Sequence, residues 1–421
     1  MRTRILILGS GGREHALALA LATARHVADL DLLCAPGNPG IAELARPIAL
    51  AGSDVAAVVQ AAREHAVDWV LPGGESWLCA GIADALSAVG IPCIGPTQAA
   101  AQLEASKVFA RTLTAPLGVP GPQFVVVDSD ATLRSALAGW VGVPVLKADG
   151  LAAGKGVFLP DTIEDSLAIG RELLAGSLGA AGRTLLLEER LYGEEASLFY
   201  ACAGTDFVPL SHARDHKRLL DGDRGPNTGG MGVVGPVKLD SGLTEKIIEQ
   251  VVRPSVLGLS RREYTFRGVL FIGVMLTAEG PRVLEYNVRF GDPETQVVLP
   301  LLAGDWALVL KTLAEGQLLP LSWHEDRAVA CVVMAAEGYP DAPVKGVKIE
   351  GDLTSHIADD SYVLHAGTSS RDGNFLVNGG RVLNVMGVGA DVRSALKSAY
   401  GRVDKITWPG CQFRRDIGVS I

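Results

Sequence analysis

RILILGSGGREHALALALATA, Arg4 to Ala24, decides the fold of the first part of the chain. Ile5 to Leu8 form a short unbroken apolar run that ends in glycines. That pattern reads as a strand buried on both faces. The run EHALALALATA that follows reads as a helix, so the segment is the first half of a βαβ unit. The pattern repeats downstream. DLDLLC (29–34), VDWVLP (67–72) and IPCIG (91–95) read as strands, and DVAAVVQAAREHA (54–66) and ESWLCAGIADALSAVG (75–90) as helices. Alternation of this kind predicts a parallel, Rossmann-like sheet with helices on both faces. Ligands of such sheets sit at loops leaving the carboxyl ends of the strands. Three of those loops here are polar and rich in glycine: Gly9–Arg13, Pro36–Gly40 and Gly73–Glu75.

The first loop fails the dinucleotide fingerprint, because the third glycine falls at Glu14. This argues against a nicotinamide dehydrogenase. Backbone N–H groups at Gly11 and Gly12, a helix N-terminus and Arg13 still suit a single phosphate. A plain tight turn uses the same residues equally well. Gly150-Leu-Ala-Ala-Gly-Lys-Gly156 fails the P-loop pattern, with Asp149 at the first glycine position and Gly156 where Ser or Thr holds Mg²⁺. A Gly-rich flap over phosphates, with Lys155 as its charge, remains open beside a solvated loop.

The chain continues with a helix, QLEASKVFARTLTA (102–115), then alternating short elements to about residue 190. From 195 to 290 the strands read as antiparallel, and after about 325 a compact α+β unit closes the chain. Lys147 extends the apolar face of Val143 and Val145 on one strand. Glu188, Glu189, Glu194 and Glu195 crowd a second strand end. Glu285 and Asn287 lie two apart in RVLEYNV, so they share a face. Two oxygen ligands on one face of an apolar strand suit a hard cation. Arg289 continues that face. Arg214 to Gly235 reads as a structureless polar loop of about 20 residues, of functional or disordered type.

Composition narrows the class. The chain has 421 residues, enough for about three domains. A net charge of −9 argues against a nucleic-acid surface. No run of 18 apolar residues offers a membrane span. Six cysteines, no two closer than 14 residues, show no zinc spacing; several sit in apolar runs and read as buried thiols of a reducing compartment.

Taken in order, GGREHALA (11–18), APGNPG (35–40), KADGLAAGKGV (147–157), LEERLYGEEAS (187–197), DHKR (215–218), GPNTGGMG (225–232), EYNVRFGDPETQ (285–296) and NGGRVLNV (378–385) resemble one family. It is the phosphoribosylamine–glycine ligases of the ATP-grasp superfamily. The resemblance implies an α/β and α+β multidomain chain. Residues 1–103 would form a sugar-phosphate-binding (pre-ATP-grasp) domain, 104–325 an ATP-grasp domain with a flap subdomain at about 123–194, and 326–421 a C-terminal α+β domain. The reaction implied joins glycine to 5-phosphoribosylamine with ATP, through glycyl phosphate, in de novo purine synthesis. It would run in the cytoplasm, on a monomer, with no nucleic acid or membrane partner. Lys107 and Lys147 would meet the ATP phosphates under a flap containing Gly150, Gly154, Lys155 and Gly156. Glu188, Glu189 and Leu191 would line the adenine hinge, and Glu195 would hold the ribose. Glu285 and Asn287 would hold Mg²⁺ or Mn²⁺. The sugar phosphate would sit on Gly11, Gly12 and Arg13, near Asn38 and Glu75. Asp215, Lys217, Asn227, Thr228 and Arg289 would line the junction of the reacting groups. Two places depart from the family's usual pattern: Gly73-Gly74-Glu75-Ser76-Trp77-Leu78, and Arg214 in place of Gln.

Overall fold

The computed structural model describes residues 2–25, 29–152, 156–260, 264–355 and 360–419. Its first sheet is parallel, in the order Arg46–Pro47, Leu30–Pro36, Thr3–Gly9, Trp69–Pro72. Ile5 to Leu8 are all fully buried. Ile5 and Ile7 pack on Leu17 and Leu21 of the helix Gly12–Ala22. Leu6 and Leu8 face the other way, onto Val58 and Ala62 of the helix Val55–Glu64. Asp54 caps that helix by accepting the Ala57 N–H.

Several local expectations are corrected. Among the described residues IPCIG makes one bridge, Cys93 to Val70; Pro92 removes a ladder donor and Gly95-Pro96 ends the pairing. The helix read over 75–90 is two, Glu75–Cys79 and Ile82–Ser87, separated at Gly81, whose φ of +86° is left-handed. QLEASKVFARTLTA also divides, into Gln98–Ala105 and Lys107–Thr114. Ser106 is extended there and caps the second helix through the Phe109 N–H.

Two antiparallel sheets follow. One runs Phe124–Val127, Leu185–Glu188, Val145–Ala148, Val157–Phe158. It has its own core with the helices Asp130–Ala138 and Ile163–Glu172, built on Val127, Leu133, Leu173, Leu185 and Leu187. The other runs Asp206–Pro209, Glu194–Ala203, Arg267–Thr277, Gly280–Asn287. A third sheet orders Arg214–Asp215, Gly232–Gly235, Ala328–Ala335, Arg381–Gly389 and Ser361–His365. The stretch 214–235 is therefore not a structureless loop. Its ends are strands of this sheet, and its middle is a hairpin of Arg218–Leu220 with Arg224–Asn227. Gly232 to Gly235 are buried against the strand Ala328–Ala335, which the local polarity around them concealed. One apolar cluster joins Ile5 and Leu17 to Phe199 and Phe271 and to Val329 and Val333, so N-terminal, central and C-terminal parts share a core.

Candidate active site

A cleft of about 940 Å³ opens between the first two antiparallel sheets and the third. Lys147 reaches it from the strand Val145–Ala148, and its Nζ lies 2.7 Å from Glu188 Oε2 and donates to Leu284 O at 2.9 Å. Glu188 ends the neighbouring strand, and its other oxygen meets Arg111 Nε at 2.7 Å. Burial opposes ionisation of Glu188, but Lys147 and Arg111 outweigh it and hold the carboxyl below its ordinary value. Two cations on one carboxylate leave this group a net positive charge. Lys107, the first residue of its helix, donates to Ala148 O at 2.9 Å. Burial lowers its pKa, against the pull of Glu285. Glu189 and Leu191 line the cleft. Gly150 and Gly156 line it as well; Gly154 and Lys155 lie outside the described residues.

Glu285 and Asn287 do share one face of the strand Gly280–Asn287 and both line the cleft. Tyr286 between them turns into the core and bonds Ser255. Lys217 Nζ stands 3.5 Å from Glu285 and 3.3 Å from Glu195. Lys217, then Lys147, Lys107 and Arg289, outweigh burial and hold the Glu285 carboxyl at about 2. Asn287 is nine-tenths buried; its Oδ1 accepts from Arg289, and its Nδ2 has no hydrogen-bond partner among the described residues. Arg289 also pairs with Glu75 at 3.0 Å and Glu104 at 2.8 Å, tying the third N-terminal loop to the central sheet.

The far end of the cleft is crowded with carboxylates. Burial and the neighbouring Glu294 push the Asp215 carboxyl well above its usual value, despite Lys217 and Arg381. Glu294 is almost fully buried and is likewise raised, chiefly by burial. Ser197 Oγ donates to its Oε1 at 3.4 Å. Asp292 pairs with Arg381 at 3.0 Å. Asn227 closes the hairpin opposite Arg218, and Thr228 donates to Lys217 O at 2.8 Å.

The N-terminal loops divide. Arg13 and Glu75 line the cleft. Arg13 is buried between Glu14, at 2.7 Å, and Phe290 O, at 3.0 Å. The Gly11 N–H is already taken by Glu14 Oε2 at 2.5 Å. Gly12 is pressed against a C-terminal strand, where an added Cβ would lie 1.9 Å from Asn384. Asn38 caps the turn at Ile41 and donates to Ser10 O and His365 O. Gly12 and Asn38 thus touch the C-terminal part, and Gly11, Gly12 and Asn38 are not among the residues that line the cleft.

Sequence reading missed Arg111, Glu104, Glu294, Asp292 and Arg381, all of which line the cleft. Glu294 and Asp292 lay in plain view in FGDPE, and Arg381 in NGGR.

Models of one family account for nearly the whole chain. Phosphoribosylglycinamide synthetase, N domain, matches residues 3–104; the ATP-grasp (A) domain matches 105–295; the C domain matches 329–420. The chain is 44% identical over 424 residues to phosphoribosylamine–glycine ligase of Caulobacter vibrioides, covering 98% of this chain and 97% of that one. A crystal structure of phosphoribosylamine–glycine ligase from Thermotoga maritima matches with TM-score 0.86 and 34% identity, covering 98% and 100% of the two chains. The biotin carboxylase domain of Hydrogenobacter thermophilus 2-oxoglutarate carboxylase, at 14% identity and TM-score 0.76 over 98% and 92%, shares the fold alone.

Proposed function

The chain belongs to the phosphoribosylglycinamide synthetase family, the phosphoribosylamine–glycine ligases, and from that premise we propose that its central cleft joins glycine to 5-phosphoribosylamine while ATP becomes ADP and phosphate. The observation that carries this reading is the convergence of Lys107, Lys147, Lys217 and Arg289 with Glu285 and Asn287 in one cleft. Cations there suit a triphosphate and the charge that moves during phosphoryl transfer.

A glycine carboxylate oxygen attacks the γ-phosphorus, the bond to the β–γ bridging oxygen breaks, and ADP leaves. The sugar amine then attacks the carbonyl carbon of glycyl phosphate, phosphate departs, and the nitrogen loses a proton. No enzyme nucleophile takes part. The Lys147–Glu188–Arg111 group offers its surplus positive charge to phosphates without leaving a lone cation buried. Glu189, Leu191 and Glu195 suit adenine and ribose at the cleft rim. Arg13 and Glu75 suit the sugar phosphate. Asp215, Lys217, Asn227, Thr228 and Arg289 line the junction of the reacting groups. The flap around Gly150 and Gly156 excludes water from the acyl phosphate.

A divalent cation, Mg²⁺ or Mn²⁺, supplies charge neutralisation to the phosphate oxygens when bound. The residues fit it: Glu285 is held ionised, and Asn287 offers an amide oxygen on the same strand face. Among the described residues no group of three His, Cys, Asp or Glu could hold a metal ion, which suits an ion that takes most ligands from phosphate and water. Six unpaired cysteines are in keeping with a cytoplasmic enzyme.

ADP release tests the reading. It should require both glycine and freshly made phosphoribosylamine. Equal release with bicarbonate or another carboxylate in place of glycine would overturn it.

A further inference from the structure

The hairpin that carries Lys217, Asn227 and Thr228 is a poor candidate for rigidity. Its two strands are short, its register is irregular, and residues 220–226 are exposed. An isolated two-stranded hairpin of this size is marginal in water. Yet reacting groups need fixed geometry, and a misplacement of about 1 Å costs on the order of 10²-fold.

The hairpin's base is anchored in the third sheet, and residues 414–418 fasten its tip. Arg414 is 1% exposed. Its guanidinium holds both oxygens of Asp416, at 2.7 and 2.8 Å, and reaches Asp223 at 2.7 Å and Arg218 O at 3.2 Å. Asp416 in turn accepts the Gly222 N–H at 2.7 Å, and the Arg415 N–H meets Asp221 at 2.8 Å. Ile417 is buried against Gly232, where an added Cβ would lie 2.6 Å from its Cδ1. Gly418, at φ +74°, turns its N–H onto His216 Nε2 at 3.0 Å. A backbone N–H can only donate, so Nε2 accepts, and Nδ1 carries the hydrogen that faces Gly232 O at 3.1 Å. Neutral His216 is satisfied on both sides, whereas its imidazolium would set one N–H against another. Burial and Arg414 favour that neutral form, against the Gly232 carbonyl, Asp223 and Asp416; His216 stands in sequence between Asp215 and Lys217.

We propose that Arg414–Gly418 is a positioning strap: through Asp223, Gly222 and His216 it sets the hairpin that presents Lys217, Asn227 and Thr228, while Arg414 and Asp416 themselves stay outside the cleft. The inference rests on the reading of the cleft given above. It adds residues that act on the reaction only through others.

The test uses the full chain with Arg414→Ala, Arg414→Lys and Asp416→Ala. Asp416 is partly exposed and Arg414 keeps Asp223 without it, so Asp416→Ala should disturb the fold less than Arg414→Ala, with far-UV circular dichroism read on each variant. Amide hydrogen exchange over 216–228, read without substrate, should accelerate about tenfold or more in Asp416→Ala. In the same variant kcat for glycine-dependent ADP release should fall about tenfold, with KM for ATP unchanged within about twofold. Arg414→Lys should recover part of what Arg414→Ala loses. Unchanged exchange, or faster exchange with kcat intact, overturns the strap and leaves these contacts merely stabilising. Failure of the parent chain to release ADP with glycine would instead strike the reading of the cleft; the exchange result stands or falls separately.

Discussion

Where the cleft meets the flap subdomain, one carboxylate lies between two cations; where it meets the C-terminal sheet, two carboxylates crowd each other. Glu188 and Glu294 are both almost fully buried. Lys147 and Arg111 pull the first below its ordinary value, while burial, with Asp292 beside it, pushes the second above it. Burial alone therefore does not decide what a carboxylate does; its company does. At the flap end one carboxylate is matched by two cations, which leaves spare positive charge. The far end carries negative charge that a proton or a cationic group would relieve.

The largest expected effect falls between the two ends. Glu285→Ala removes the one acid there that is held ionised at about 2. Glycine-dependent ADP release should drop by about 10²–10³-fold, the usual cost of losing one charge-stabilising group. A near-parental rate at saturating ATP would sink the placement of chemistry in this cleft. Next comes Glu188→Gln, which leaves Lys147 and Arg111 facing each other in a buried site. It should cost about 3–5 kcal/mol in denaturant unfolding, the typical penalty for removing one partner of a buried pair.

The smallest effect concerns pH, and the two ends should answer with opposite signs. A depressed carboxyl contributes stability that is present above the ordinary carboxylate range and is lost as pH falls. That is Glu188. A raised carboxyl binds its proton more tightly in the folded chain, so stability declines as pH climbs from the ordinary range through the raised value. That is the Asp215–Glu294 pair. Glu294→Gln should flatten this decline and raise stability at neutral pH in denaturant unfolding. Parallel pH–stability curves for the Glu188 and Glu294 variants would erase the contrast.

The parts of the site legible in the sequence were those set by short-range periodicity. Glu285 and Asn287 fall on one face because a strand alternates, and Lys147 continues a face already marked by valines. The parallel N-terminal sheet was legible for the same reason: Ile5–Leu8 is apolar throughout. What escaped were residues whose meaning lies in distant partners. Arg111 sits in an ordinary helix until Glu188, 77 residues on, is brought to it. The Gly11 N–H reads as a free anion donor until Glu14 folds back on it. The stretch 214–235 reads as a loop because no local pattern reveals that Gly232–Gly235 will lie beside Ala328–Ala335. Long-range pairing of this kind leaves no trace in a window of a few residues.

The five-stranded sheet bears on how the molecule is made. Gly232 pairs with Val332, and the strand holding Val332 pairs in turn with Arg381–Gly389. Synthesis runs from the N-terminus, so the segment bearing Asp215 and Lys217 emerges with a strand edge that has nothing to pair with until the last third of the chain follows. Contacts of such separation form slowly and leave edges open to wrong partners meanwhile. The central part of the chain cannot complete the wall of its own cleft, which waits on the strand Ala328–Ala335.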